Sequence, residues 1–155
     1  MRLTERTDYG LRVLLVLGAT GQRWSTSELA ETLRVSEHHL GKVVQSLQQA
    51  GWVRTTRGNG GGVELAVDLA TVSVGEVVRR LEPVHGLVEC QRPTGDCVLA
   101  PACRLKCELD RACSVFYGHL DGVNLGALVT ESRDTMLTVI GYPVRRRGVD
   151  PGGGN

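Results

Sequence analysis

The stretch from Ser25 to Val67 constrains the fold more than any other, because each break in it falls where a short element has to end. Ser25 and Glu28 have capping-box spacing, with the hydroxyl and the carboxylate each able to satisfy one free N–H of a new helix. A short helix over Thr26 to Leu33 follows, with Leu29, Ala30 and Leu33 on one side. Arg34-Val35-Ser36 breaks it, and Ser36 is a suitable N-cap for the next helix. From Glu37 to Ala50 the apolar residues Leu40, Val43, Val44 and Leu47 recur with the i, i+3, i+4, i+7 spacing of an amphipathic helix. Gly51 closes it. Trp52 to Thr56 and Val63 to Val67 then have strand character around the glycine-rich tip Arg57-Gly58-Asn59-Gly60-Gly61-Gly62. Two helices across a tight turn, then a glycine-tipped hairpin, predict a winged helix-turn-helix in a mainly α protein with one small β-hairpin.

The flanks extend this unit. Asp8 to Ala19 predicts an apolar helix before it, and Ser73 starts another, Val74 to Leu81, that Pro83 stops. These elements make residues 1–83 one domain. Residues 84–107 form an irregular cysteine-rich loop. A long helix from Ala102 to about Leu120 and a short one from Asn124 to Thr130 fill most of 102–142. Residues 143–155, with Arg145-Arg146-Arg147 and a glycine run, have nothing to pack and are expected to be disordered.

In a helix-turn-helix the second helix lies in the major groove. Here its open face carries Ser36, His38, His39, Lys42 and Gln45, all able to donate to bases or phosphates. Gly41 permits close approach. Arg57, Asn59 and Gly60 at the tip suit a wing that grips a phosphate or enters the minor groove. Between Ser36 and Gly60, Lys42, Arg54 and Arg57 outweigh Glu37, a modest excess consistent with double-stranded DNA as partner.

Five cysteines, an odd number, all lie between Cys90 and Cys113. That clustering points to metal or redox chemistry rather than a disulfide framework. Soft thiolates suit zinc or an iron–sulfur cluster. The wide gaps between Cys90, Cys97 and Cys103 favour the cluster, since structural zinc sites use closer pairs. Cys113, beside Ala112 and Val115, is expected to be a small buried hydrophobe. Cys107 stays open as spare thiol, alternative ligand or disulfide partner of Cys103. His85 and His119 are weaker ligand candidates.

Other classes find little support. The net charge is +1 and aromatic residues make up 4% of the chain, so the core must come from Leu, Val and Ala. No apolar run nears the roughly 20 residues of a membrane span, and the N-terminus lacks a signal-peptide centre, so a cytoplasmic protein without a membrane partner is expected. No nucleophile–base pair, paired carboxylates or phosphate loop suggests an enzyme.

Several stretches together resemble the winged-helix iron–sulfur repressors. They are Met1-Arg2-Leu3-Thr4 with Thr7-Asp8-Tyr9-Gly10-Leu11-Arg12, the wing, Val77 to Pro83, and Cys97 to Lys106. Lys106 stands where the cluster-biogenesis branch has a histidine ligand, so the nitric-oxide-sensing, NsrR-type branch is the nearer match. The resemblance implies a homodimer on palindromic promoter DNA, with the helix from Ala102 to Leu120 as the dimerisation helix. It implies a cluster, [4Fe–4S] in preference to [2Fe–2S], held by Cys90, Cys97, Cys103 and Asp8 from the partner subunit. Nitric oxide, the signal, would nitrosylate the cluster and release the DNA. A redox- or iron-status-sensing regulator of the same fold is the alternative. Apart from the resemblance, Asp8 at a helix start is a plain cap or dipole partner.

Overall fold

Helix α1 (Glu5–Thr20) is the central element, and a computed structural model describes it within residues 3–58, 60–83, 86–92 and 95–143. Asn59, His85 and the tail beyond Pro143 lie outside the described residues. The helix starts three residues before the predicted Asp8. Thr4 is the N-cap, its Oγ1 accepting from the Thr7 N–H at 3.4 Å. The polar run Glu5-Arg6-Thr7 hides this start from any apolar pattern, yet Thr7 is fully buried. Thr4 in turn donates from both its N–H (2.8 Å) and its hydroxyl (3.0 Å) to Glu82.

Helix α2 (Thr26–Leu33) has the predicted boundaries. Its capping box is complete: the Glu28 N–H donates to Ser25 Oγ at 3.1 Å, and the Ser25 N–H to Glu28 Oε2 at 2.7 Å. These bonds hold the Glu28 carboxyl below its ordinary range. Removing the cap in Ser25→Ala is expected to cost about 1 kcal/mol, read from chemical denaturation.

Helix α3 (Glu37–Gln49) buries Leu40, Val43, Val44 and Leu47, the predicted stripe. Ser36 occupies the N-cap position but its side chain makes no capping hydrogen bond. Strands β1 (Val53–Thr56) and β2 (Gly62–Leu65) pair antiparallel with Arg54 opposite Glu64. Both are shorter than predicted. Trp52 is buried before β1 begins, and its carbonyl accepts from Ala66 N–H at 2.9 Å where the ladder has ended. Trp24 adds a further bridge, exchanging both backbone bonds with Val63 (3.0 and 2.7 Å). Gly62, at φ +152°, allows this approach, since a Cβ there would lie 2.5 Å from the Trp24 carbonyl oxygen.

Helix α4 (Val74–Leu81) is capped by Ser73 and buries Val74, Val77, Val78 and Leu81. It crosses α1 at Gly10, where an added Cβ would meet Leu81 Cδ1 at 2.6 Å. Helix α5 (Arg104–Asp121) begins two residues later than predicted, because Pro101 sits in a separate 3-10 turn, Ala100–Ala102. Helix α6 (Leu125–Val139) is about twice the expected length. The prediction stopped at Thr130 because Glu131 to Thr135 offers no apolar residue. The helix continues because Arg133 Nε donates to the Ala19 carbonyl at 2.8 Å, at the end of α1, and Leu137 is buried one turn later. A cation at a helix C-terminus is favourable, and α1 has none of its own in its last turn.

The core therefore runs from α1 outward. It meets α3 and α4 around Gly10 and α6 toward the C-terminal end of α1. Val13, Leu14, Leu17, Leu40, Leu47 and Val77 are its inaccessible centre. No helix among the described residues is long and apolar enough to cross a membrane.

Candidate nucleic-acid interface and cysteine segment

The burial of Leu40, Val43, Val44 and Leu47 turns the opposite face of α3 outward. Ser36, His38, His39, Lys42 and Gln45 are all exposed. His38, Gly41, Lys42 and Gln45 line one shallow groove of about 570 Å³ that reaches Thr26 at the start of α2. No Cβ placed on Gly41 would touch another atom. His39 points elsewhere, toward α1, with Nδ1 3.7 Å from Glu5 Oε2. It shares with Lys42, Tyr9 and Leu3 a larger groove, about 920 Å³, between α3 and the start of α1.

The wing presents Arg57 in the open, without an ion pair among the described residues, and Gly60 exposed beside it. Asn59 lies outside the described residues. The wing base holds a cluster that sequence reasoning missed. Glu64 Oε1 accepts from Arg23 Nη2 and from Arg54 Nε, each at 2.7 Å. Arg23 Nη1 also donates to the Gly60 carbonyl at 3.3 Å. The Arg23 bond, then the Arg54 bond, hold the Glu64 carboxyl below its ordinary range. Arg23 lies in the linker before α2, 41 residues from Glu64, so no local pattern announced it.

All five cysteines are free thiols. Cys90 lies in the 3-10 turn Glu89–Gln91, Cys97 in an irregular stretch before the turn Ala100–Ala102, and Cys103 at the N-cap of α5. All three are half-buried. Cys103 Sγ accepts from the Lys106 N–H at 3.4 Å, so the sulfur faces the donor end of a helix. Cys107 is exposed. Cys113 is not the buried hydrophobe expected of it. Val115 is 73% exposed, and Cys113 turns back toward the loop, with Gln91 Nε2 at 3.7 Å from its Sγ.

Gln91, also unnoticed in the sequence, fastens this loop to α5. Its Oε1 accepts from the N–H groups of Leu87 (2.6 Å) and Val88 (3.1 Å), while Nε2 donates to Asp110 at 2.8 Å. Lys106 Nζ holds the other Asp110 oxygen at 2.8 Å. The Lys106 bond, then Gln91, keep the Asp110 carboxyl below its ordinary range.

Asp8 sits in the first turn of α1, where a carboxylate suits the helix dipole, but the cap is Thr4. The two Asp8 oxygens take Arg12 Nε at 3.0 Å and Nη2 at 2.6 Å. Among the described residues no three His, Cys, Asp or Glu side chains converge on one metal position. The donor set nonetheless suits a thiolate-bound cluster: three unpaired sulfurs on a segment whose 3-10 turns bury nothing. Little packing would have to be disturbed to close them around a group.

The sequence profile of the Rrf2 family, described as iron-dependent transcriptional regulators, matches residues 3–131. The chain belongs to the Rrf2 family. Its sequence is 41% identical over 139 residues to the HTH-type transcriptional regulator NsrR of Bacillus subtilis, covering 88% of this chain and 95% of that protein. It is 42% identical over 143 residues to the NsrR of Geobacillus kaustophilus, covering 90% and 97%. Among solved structures, oxidised CymR of Staphylococcus aureus superposes with a TM-score of 0.66 at 26% identity, covering 83% of this chain and 96% of that one. The T. potens IscR structure, at TM-score 0.66 and 22% identity over 87% of this chain and 90% of that one, shares the fold. This Rrf2 protein is thus a transcriptional regulator with a winged helix-turn-helix, and DNA is its partner.

Proposed function

We propose that this protein is a nitric-oxide-sensing repressor. It acts as a homodimer on partly palindromic promoter DNA, through an iron–sulfur cluster held by Cys90, Cys97, Cys103 and Asp8 of the partner subunit. The observation that carries the reading is near-full-length similarity to two regulators named NsrR. The three unpaired thiols supply the ligand chemistry, and a [4Fe–4S] form suits a ligand set of three sulfurs and one oxygen. DNA contact is assigned to Ser36, His38, His39, Lys42 and Gln45 of α3 and to Arg57, Asn59 and Gly60 of the wing.

Dimerisation is assigned to α5. None of its residues is buried, and Leu105 (67%) and Val115 (73%) are exposed along it. An apolar helix face left open on one chain is suited to a second copy.

When bound, the cluster supplies iron able to react with nitric oxide. The protein's part is played at Asp8. An oxygen ligand is a weaker partner for iron than thiolate, and Asp8 has an alternative partner in Arg12, four residues along its own helix. A shift of this carboxylate between the two would move a charge at the start of α1. That helix end touches the reading helix through Glu5 and His39 and the entry to the cysteine loop through Thr4 and Glu82. A change at Asp8 would thereby reach both.

The test is an anaerobic titration of promoter-DNA binding with nitric oxide, run on the holoprotein and on Asp8→Ala. Loss of DNA binding by the holoprotein is expected at a few equivalents per cluster. The variant is expected to keep its thiolate ligands but to show altered cluster spectra and a changed response. DNA affinity indifferent to nitric oxide would overturn the proposal, and Asp8→Ala spectra identical to wild type would remove Asp8 from it.

A further inference from the structure

The wing base poses an electrostatic problem. Glu64 places a carboxylate on a strand of the very hairpin assigned to DNA, where an anion repels phosphate. It is 22% exposed, and both of its partners are cations. One of them, Arg54, is its direct cross-strand neighbour. The other, Arg23, comes from a different part of the chain, and one of its terminal nitrogens binds Glu64 while the other reaches the Gly60 carbonyl. Among the described residues this is the only side-chain hydrogen bond to the wing tip. The tip has little else to fix it: a Gly61 N–H to Gly58 carbonyl turn at 2.9 Å, with Gly58 and Gly60 both at positive φ.

We infer that Glu64 is a positioning residue for DNA binding: it orients the Arg23 fork that holds the wing tip, and so sets where the wing meets the phosphate backbone. Its negative charge is tolerated because it aims two cations. The inference rests on the assignment of the wing to DNA given above.

Charge and position predict different results, which makes the inference testable. Glu64→Ala removes an anion, so charge alone predicts tighter DNA binding. Arg23→Lys keeps the charge but cannot span Glu64 and Gly60 with one planar group, so charge alone predicts no change. If Glu64 and Arg23 position the wing, both variants bind a mixed-sequence DNA duplex about tenfold more weakly, with a salt slope lower by about one. The measurement is a salt titration of duplex binding by the full chain, with thermal melts to show that each variant is folded. These exposed ion pairs contribute little to stability, so the melts are expected to match wild type. Either variant binding as tightly as wild type, or more tightly, overturns the inference. A wild-type chain without salt-dependent duplex binding overturns instead the assignment of the wing to DNA.

Discussion

Replacing Cys97 with alanine is expected to give a folded protein that purifies anaerobically without the visible absorption of an iron–sulfur cluster. Cys97 lies in an irregular stretch, its thiol makes no hydrogen bond among the described residues, and it contributes nothing to the core. Its loss is therefore felt at the ligand set and not in stability. Cys90→Ala is expected to behave alike. Cys103→Ala also removes the acceptor at the start of α5, so a small loss of helix stability accompanies loss of colour. Cys107→Ala and Cys113→Ala are expected to keep the colour. Iron and sulfide analysis with absorption spectra decides the matter. Full cluster content in Cys97→Ala would refute the ligand assignment, and loss of colour in Cys107→Ala would shift the third ligand along α5.

The second large effect is on the fold. Leu47 is inaccessible and lies where α3 meets α1, its Cδ2 about 3.6 Å from where a Cβ on Gly10 would sit. Leu47→Ala is expected to destabilise the protein by about 2–5 kcal/mol, the transfer term plus the cavity left behind. Against a total of roughly 5–15 kcal/mol for a domain this is severe. Because Leu47 seats the reading helix, duplex binding should weaken before global unfolding is reached. Gln49→Ala, on the exposed face of the same helix, is expected to change stability by less than about 0.5 kcal/mol. Urea denaturation of the two variants side by side gives the comparison.

Some features were legible in the sequence because they are local. The Ser25–Glu28 box, the Leu40-Val43-Val44-Leu47 stripe and the Ser73 cap each declare themselves within one or two helical turns, and the structure has them. The two ends of the helical frame were misjudged for one shared reason. The start of α1 and the second half of α6 are held by polar residues that act at long range, Thr4 with Glu82 and Arg133 with Ala19. Periodicity counts apolar residues and is blind to such partners. The same holds at the candidate sites. Cysteine clustering and the open face of α3 could be read directly. Arg23, Glu64, Gln91 and Asp110 could not, since each has a decisive partner at least ten positions away.

The mooring of α5 has a mechanical consequence. Its C-terminal end is fixed: Arg79 of α4 binds Asp121 through both oxygens and lies 4.8 Å from the Tyr117 ring centre, the Val74 N–H donates to the Val123 carbonyl, and the Leu125 N–H donates to the Val72 carbonyl. Its N-terminal end carries Cys103 and buries nothing. Eighteen residues at 1.5 Å each make an arm about 27 Å long. A tilt of about 5° at the pivot sweeps the sulfur end through roughly 2 Å, the length of a metal–ligand bond. Read in reverse, a change of one bond length at the cysteines turns the far end by only a few degrees, and that far end is bolted to α4, which packs on α1. Anchored at one end and burying nothing at the other, α5 has the geometry of a lever arm.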